Sequence, residues 1–121
     1  MSKKKRPPVE LFLPLSPAAF HILLCLVEGE RHGYALKRAI ARRTDGKLNL
    51  GPGTLYGTIQ KLLEAGLIEE TAERPDAHLD DERRRYYRIT ELGYEVARAE
   101  AARMKTLAGI AESLLGLPET V

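Results

Sequence analysis

The chain has little of what several protein classes require. It holds one cysteine, no tryptophan, five tyrosines and two phenylalanines among 121 residues. A single cysteine cannot close an intrachain disulfide, which excludes a disulfide-stapled scaffold. It also leaves too few thiolates for a cysteine-rich zinc fold. The longest strictly apolar run, Ile22 to Val27, spans six residues, far short of the ~20 that a membrane helix needs. Lys3-Lys4-Lys5-Arg6 has the charge of a signal-peptide start. However, Glu10 and the prolines at 7, 8, 14 and 17 interrupt any apolar stretch behind it, and Glu28-Gly29-Glu30 makes a poor cleavage site. The expectation is a soluble, cytoplasmic protein of a reducing compartment with no membrane partner.

Signals of catalysis are missing too. The three histidines, at 21, 32 and 78, have no helical metal-ligand spacing and read as surface or packing residues. Gly51-Pro52-Gly53 lacks the strand and the lysine of a nucleotide-binding loop. The reading is therefore not an enzyme, with no metal and no cofactor.

What is present is enough for one domain: 44% hydrophobic and 30% charged residues at a length that buries a core. The net charge of +2 hides an uneven distribution. Residues 31–61 carry seven basic side chains and one acidic, residues 62–82 one basic and eight acidic, and residues 83–88 four basic and none acidic. Two basic blocks thus flank an acidic one. This fits a polyanion partner or, alternatively, a solvated charged surface.

Residues 1–12 read as a basic, flexible N-terminal tail, either solubilising or an arm on nucleic-acid phosphates. Ser16-Pro17 is an N-cap followed by proline at the first helical position, and predicts a helix to Glu28. That helix is apolar almost all round, so it must be covered on more than one side. Cys25 reads there as a small buried hydrophobe. A second helix is predicted from Gly33 to Thr44, with Tyr34, Leu36, Ala39 and Ile40 on an apolar side and Lys37, Arg38, Arg42 and Arg43 on a basic one. A third runs from Gly51-Pro52 to Ala65. Its Leu55, Ile59, Leu62 and Leu63 form one buried stripe, and its opposite face, Thr54, Gly57, Thr58 and Lys61, has no carboxylate. Tyr56 and Gln60 stand at the edges of that face, and Glu64 comes only in the last turn. Small, hydrogen-bonding and basic side chains on one helical face suit contact with the DNA major groove.

Leu67 to Glu73 and Arg83 to Ile89 read as two strands of a hairpin with a long tip. Thr90 caps a long final helix reaching Leu115, whose apolar residues from Leu92 to Leu114 extend past any core that ninety residues offer. That stripe wants a partner, most simply a second copy. Three helices, a hairpin and a long terminal helix are the plan of an α+β, mostly helical fold. It is a winged helix-turn-helix over residues 13–90 with a C-terminal dimerisation helix over 91–116.

Gly53-Thr54-Leu55-Tyr56, then Leu62-Leu63-Glu64-Ala65-Gly66-Leu67-Ile68, then Arg85-Tyr86-Tyr87-Arg88-Ile89-Thr90-Glu91-Leu92-Gly93, with His32-Gly33-Tyr34 ahead of them, resemble the PadR family of bacterial transcriptional regulators. The single C-terminal helix is similar to the smaller subclass. The resemblance covers about residues 13–115. It implies a homodimer that binds double-stranded DNA at an inverted repeat, as a repressor released by a small hydrophobic or phenolic effector. On this chain it makes Thr54, Tyr56, Thr58 and Lys61 contacts to the groove or phosphates and Arg83, Arg84 and Arg85 contacts of the wing. Tyr34 becomes a phosphate neighbour, with a core role as the alternative. An effector cavity between subunits would draw on Phe20, Leu24, Met104 and Leu107, which alternatively form a plain packed interface. Two departures stand out: Gly57 replaces the proline of many relatives, and the wing tip carries Asp76, Asp80, Asp81 and Glu82, which repel phosphate. The rival reading is a winged-helix protein-interaction module without DNA readout.

Overall fold

The computed structural model describes residues 7–71 and 85–118. Among the described residues four α-helices and three short strands follow in the order α1 (Pro17–Val27), β1 (Arg31–His32), α2 (Gly33–Arg43), α3 (Pro52–Glu64), β2 (Ile68–Glu70), β3 (Tyr86–Ile89) and α4 (Glu91–Leu115). Local chemistry sets most of the starts. The Ser16 side chain accepts from the Ala19 N–H at 3.1 Å with Pro17 behind it. Thr90 Oγ1 accepts from the Gly93 N–H at 3.0 Å. Gly51 caps α3 without a side chain, and Pro52 presets its first turn. The helix limits expected from sequence hold to within about one residue, the uncertainty normal for helix ends.

The three helices of the N-terminal half enclose one core. Ile22, Leu23, Cys25 and Leu26 of α1 meet Leu36 and Ile40 of α2 and Leu55, Ile59 and Leu62 of α3, all buried. Burying one such aliphatic side chain contributes about 1.5–3 kcal/mol. Among the described residues the sheet is antiparallel with β3 in the centre, β2 on one side and β1 on the other. Ile68 pairs with Ile89, Glu69 with Arg88 and Glu70 with Tyr87. On the far side, Arg31 pairs with Tyr87 and His32 with Tyr86. The third strand was not expected, because two residues carry no periodicity. The hairpin tip, with His78 and the acidic residues Asp76, Asp80, Asp81 and Glu82, lies outside the described residues.

The sequence places residues 9–12 in a flexible tail, but the structure folds them. Val9–Phe12 make a 3-10 turn packed on α4, and Val9, Phe12, Leu13 and Leu15 lie against the core. Their apolar side chains make the difference. Residues 1–6 lie outside the described residues. The leading segment is fastened by Glu100, whose Oε2 accepts the Leu15 N–H at 2.9 Å. Glu100 is fully buried and is held by Arg103, which donates to both carboxylate oxygens at 2.6 and 3.1 Å. The Arg103 guanidinium holds the Glu100 carboxyl below the usual glutamate range, against the opposing effect of burial. Sequence reading missed this residue. Its position in line with Gly93, Val96 and Ala97, with Arg103 three residues on, is the signal that was available.

Where α3 ends, the Leu67 N–H donates to the Leu62 carbonyl and the chain turns through Gly66 at φ 78°. Thr90 then joins the two halves. Its hydroxyl donates to the Gly66 carbonyl at 2.7 Å, and its N–H donates to the Leu67 carbonyl at 3.1 Å. Gly93 lies against that Leu67 carbonyl so closely that a Cβ would collide with backbone.

Two outcomes follow from this packing. Gly93→Ala is expected to lower stability by about 2–3 kcal/mol, the cost of overpacking against atoms that cannot move aside; urea unfolding measures it. Glu100→Gln is expected to cost about 2 kcal/mol at neutral pH, because a charge-assisted hydrogen-bond set is lost. The folded-state pKa is lowered, so the wild-type advantage is complete above the ordinary glutamate pKa of about 4.3. It fades as pH falls through the lower folded value. Unfolding curves of both proteins at several pH values should converge under acid conditions.

Candidate nucleic-acid interface

The outward face of α3 follows from its buried one. With Leu55, Ile59 and Leu62 turned inward, Thr54, Gly57 and Lys61 are exposed and Thr58 is half-buried at one edge. Gly57 stands near the middle of the face, with nothing within 4 Å of where a Cβ would sit. The only carboxylate on the helix is Glu64, in the last turn, where its Oε2 accepts from Gln60 at 3.1 Å. Lys61 forms no ion pair with a described residue, so its charge is available to a partner.

Tyr56, on the edge toward α2, has a double position. It is 45% exposed, yet its ring covers Gly33, where a Cβ would come within 2.7 Å of the phenolic oxygen. The lack of a side chain at 33 therefore lets α3 lay this ring on the start of α2. That start is capped by His32, whose Nδ1 accepts the Ala35 N–H at 3.1 Å. The His32 ring also meets Tyr86 edge-on, with centroids 5.4 Å apart. Histidine is not among the usual capping residues, so this role was not legible in the sequence.

Tyr34 is 56% exposed, which removes the core alternative. The Arg38 guanidinium lies over its ring at 5.7 Å. Lys37 donates to Asn49 Oδ1 at 2.8 Å, which ties α2 to the turn before α3.

The wing strands carry cross-strand ion pairs. Arg85 meets Glu70 at 3.2 Å and Arg88 meets Glu69 at 2.7 Å. The Glu69 carboxylate holds the Arg88 guanidinium above its ordinary pKa. Tyr87 is buried beneath them, and burial raises its phenol, with Glu70 adding to the effect. Arg83 and Arg84, the other two expected wing contacts, lie outside the described residues. The described arginine of the group is thus already partnered.

The four expected effector residues fall into two pairs. Phe20 and Leu24 are half-buried on α1, whereas Met104 and Leu107 are 42% and 55% exposed on α4. Cys25 is buried and its thiol is pushed up by burial, the largest influence on it; it behaves as a core side chain. Among the described residues no group of three or more His, Cys, Asp or Glu side chains is placed to hold a metal. No described helix is long and apolar enough to cross a membrane.

A three-helix core with a small antiparallel sheet and a long terminal helix defines a winged helix-turn-helix protein. The chain belongs to the PadR-like family of transcriptional regulators, whose model matches residues 22–99. It is 38% identical over 72 residues to an uncharacterized protein of Lysinibacillus sphaericus, covering 60% of this chain and 63% of that one. Over 88 residues it is 33% identical to an uncharacterized 37.1 kDa protein in a transposon of Streptomyces fradiae, covering 73% of this chain and 23% of that one. The chain thus spans less than two thirds of the length of either. A solved transcriptional regulator from Clostridium thermocellum superposes with a TM-score of 0.68 at 25% identity, covering 79% of this chain and 87% of that chain.

The contact between Tyr56 and Gly33 is open to test. In Gly33→Ala the obstructing atoms are the far end of one side chain, so the Tyr56 ring should swing away and stability should change by less than about 1 kcal/mol. Adding Tyr56→Ala should then abolish whatever cost the alanine has, as read from a double-mutant cycle.

Proposed function

We propose that this protein is a homodimeric, sequence-specific DNA-binding regulator, acting as a repressor released by a small hydrophobic or phenolic effector. One observation carries the DNA reading: the exposed face of α3 offers Thr54, Thr58 and Lys61 around a bare Gly57, with its sole carboxylate in the last turn. Exposed helical faces ordinarily mix signs. A face of hydroxyls and one ammonium without an ion-pair partner among the described residues fits hydrogen-bonding base edges flanked by phosphates. Thr54 and Thr58 take the base-reading role, Lys61 and Tyr34 the phosphate role, and Tyr56 the junction between α2 and the groove. Arg85 reaches phosphate by exchanging Glu70 for it. Such exposed pairs are worth ~0–1 kcal/mol, so the exchange is inexpensive. Arg83 and Arg84 take the same phosphate role. The carboxylate-poor α3 is also what speaks against a protein-interaction module.

The dimer reading rests on α4. Met104, Leu107, Ile110, Leu114, Leu115 and Leu117 are all at least 42% exposed, an apolar stripe that a second copy would cover. Phe20 and Leu24 would face Met104 and Leu107 of that copy around the effector.

The test is selection of duplexes from a random-sequence pool at physiological salt. The expected product is an inverted repeat whose half-site centres lie about one helical turn apart or a multiple of it. Lys61→Ala should weaken binding to all sequences and lower the salt slope by ~0.9 for each Lys61 engaged, ~1.8 for the dimer, whereas Thr58→Ala should relax preference at one position of each half-site. Absence of any retained duplex, or of two-fold symmetry in those retained, refutes the reading. Replacing Leu107 and Ile110 together by glutamate should turn a sedimenting dimer into a monomer that keeps its helical circular dichroism. A monomeric wild-type chain at micromolar concentration refutes the dimer.

A further inference from the structure

At the outer surface of α2, Arg31, His32, Ala35, Arg38 and Arg42 line a cleft of about 220 Å3. Ala35, Arg38 and Arg42 follow one another at spacings of three and four along the helix, so they share a face. Arg31 comes from β1 and closes the end. Its position is fixed: Nε donates to the Cys25 carbonyl at 3.4 Å and Nη2 to Glu28 at 3.1 Å. The other Glu28 oxygen accepts from Arg43 at 2.8 Å, so both its oxygens are engaged. No carboxylate lines the cleft. Arg38 and Arg42 are exposed and form no ion pair with a described residue.

Arg38 and Arg42, which have no ion-pair partner among the described residues, line one concavity beside the Glu28-paired Arg31; their like charges repel, and an anion between them relieves that repulsion. The planar fork of arginine matches phosphate oxygens in particular. The cleft is smaller than the roughly 300–1,000 Å3 typical of pockets for drug-sized ligands, but a single phosphate group fits it. Its surroundings point to a source. Tyr56 of α3 covers Gly33, the adjoining Tyr34 is exposed, and Arg38 lies over Tyr34 while lining the cleft. The cleft therefore adjoins, through Arg38, the Tyr34 ring that is given a phosphate role above.

We propose that this cleft holds a backbone phosphate of DNA beyond the segment read by α3, and so clamps the outer flank of each half-site. The proposal rests on the DNA-binding reading above and extends its contact surface along α2, beyond Tyr34, to Arg38, Arg42 and Arg31.

The experiment compares two duplexes selected by the wild-type protein, one trimmed to the symmetric core and one carrying ~10 further base pairs on each side. Arg42→Ala and Arg38→Ala should each lower the salt slope on the long duplex by ~0.9 for every cleft engaged and leave it unchanged on the trimmed one. Lys61→Ala should lower it on both. Arg42→Lys, which keeps the charge, should retain most of the slope. Equal slopes for wild type and both arginine variants on the long duplex overturn the proposal while the DNA-binding reading stands. If, in addition, inorganic phosphate raises the melting temperature of wild type but not of Arg42→Ala, the cleft serves free phosphate instead and the DNA assignment fails. A wild-type protein that retains neither duplex at low salt sinks the DNA-binding reading itself, and this proposal with it.

Discussion

The arrangement of the molecule depends on a backbone junction of two carbonyls and one threonine. Thr90 donates its hydroxyl proton to the Gly66 carbonyl and its N–H to the Leu67 carbonyl, while its oxygen accepts the Gly93 N–H. The end of α3, the start of β2, the end of β3 and the start of α4 are thereby held at one point. Gly93 makes the approach possible, because a methyl group there would meet the Leu67 carbonyl. Helices α3 and α4 consequently cannot shift independently without breaking hydrogen bonds. On the proposed dimer, this junction is what converts the spacing between two α4 helices into the spacing between two α3 helices.

The charge pattern changes meaning once the fold is known. Residues 83–88 look like a free basic block in the sequence, and residues 62–82 an acidic one. The antiparallel register sets Glu69 opposite Arg88 and Glu70 opposite Tyr87, so part of each block cancels the other along the wing. Exposed pairs of this kind contribute little to stability and weaken with salt. Their effect is to make any phosphate contact by Arg85 a competition with Glu70. By contrast, α2 and α3 keep Arg38, Arg42 and Lys61 unpaired among the described residues. The uncompensated positive charge thus lies on the helices and not on the described part of the wing.

Much of this was legible because helices announce themselves at their ends. Ser16-Pro17, Gly51-Pro52 and Thr90 mark the starts, and the apolar spacing of Leu55, Ile59 and Leu62 fixes which side of α3 faces out. The features that escaped are those set by tertiary contact. Arg31 and His32 form a strand only because Tyr86 and Tyr87 lie beside them. His32 caps a helix through a ring nitrogen, which no propensity predicts. Pairing across the hairpin decided the state of Arg85. Val9 and Phe12 look like tail residues among prolines until α4 gives them a surface to bury.

Glu100 marks where the domain stops supporting α4. Gly93, Val96, Ala97 and Glu100 are buried, and from residue 101 to 110 every position is exposed. A carboxylate at that boundary would be costly without partners, but it has two: Arg103 neutralises it, and the Leu15 N–H donates a hydrogen bond to it. The leading segment is thereby anchored to the last supported turn of the helix. Beyond that turn the apolar side chains of α4 lack cover within the described chain, so their burial has to come from another surface. The same ion pair that completes the monomer core therefore fixes the position from which the helix projects. Changes at Glu100 should reach both the N-terminal strap and the direction of the projecting half, because the two are joined through one carboxylate.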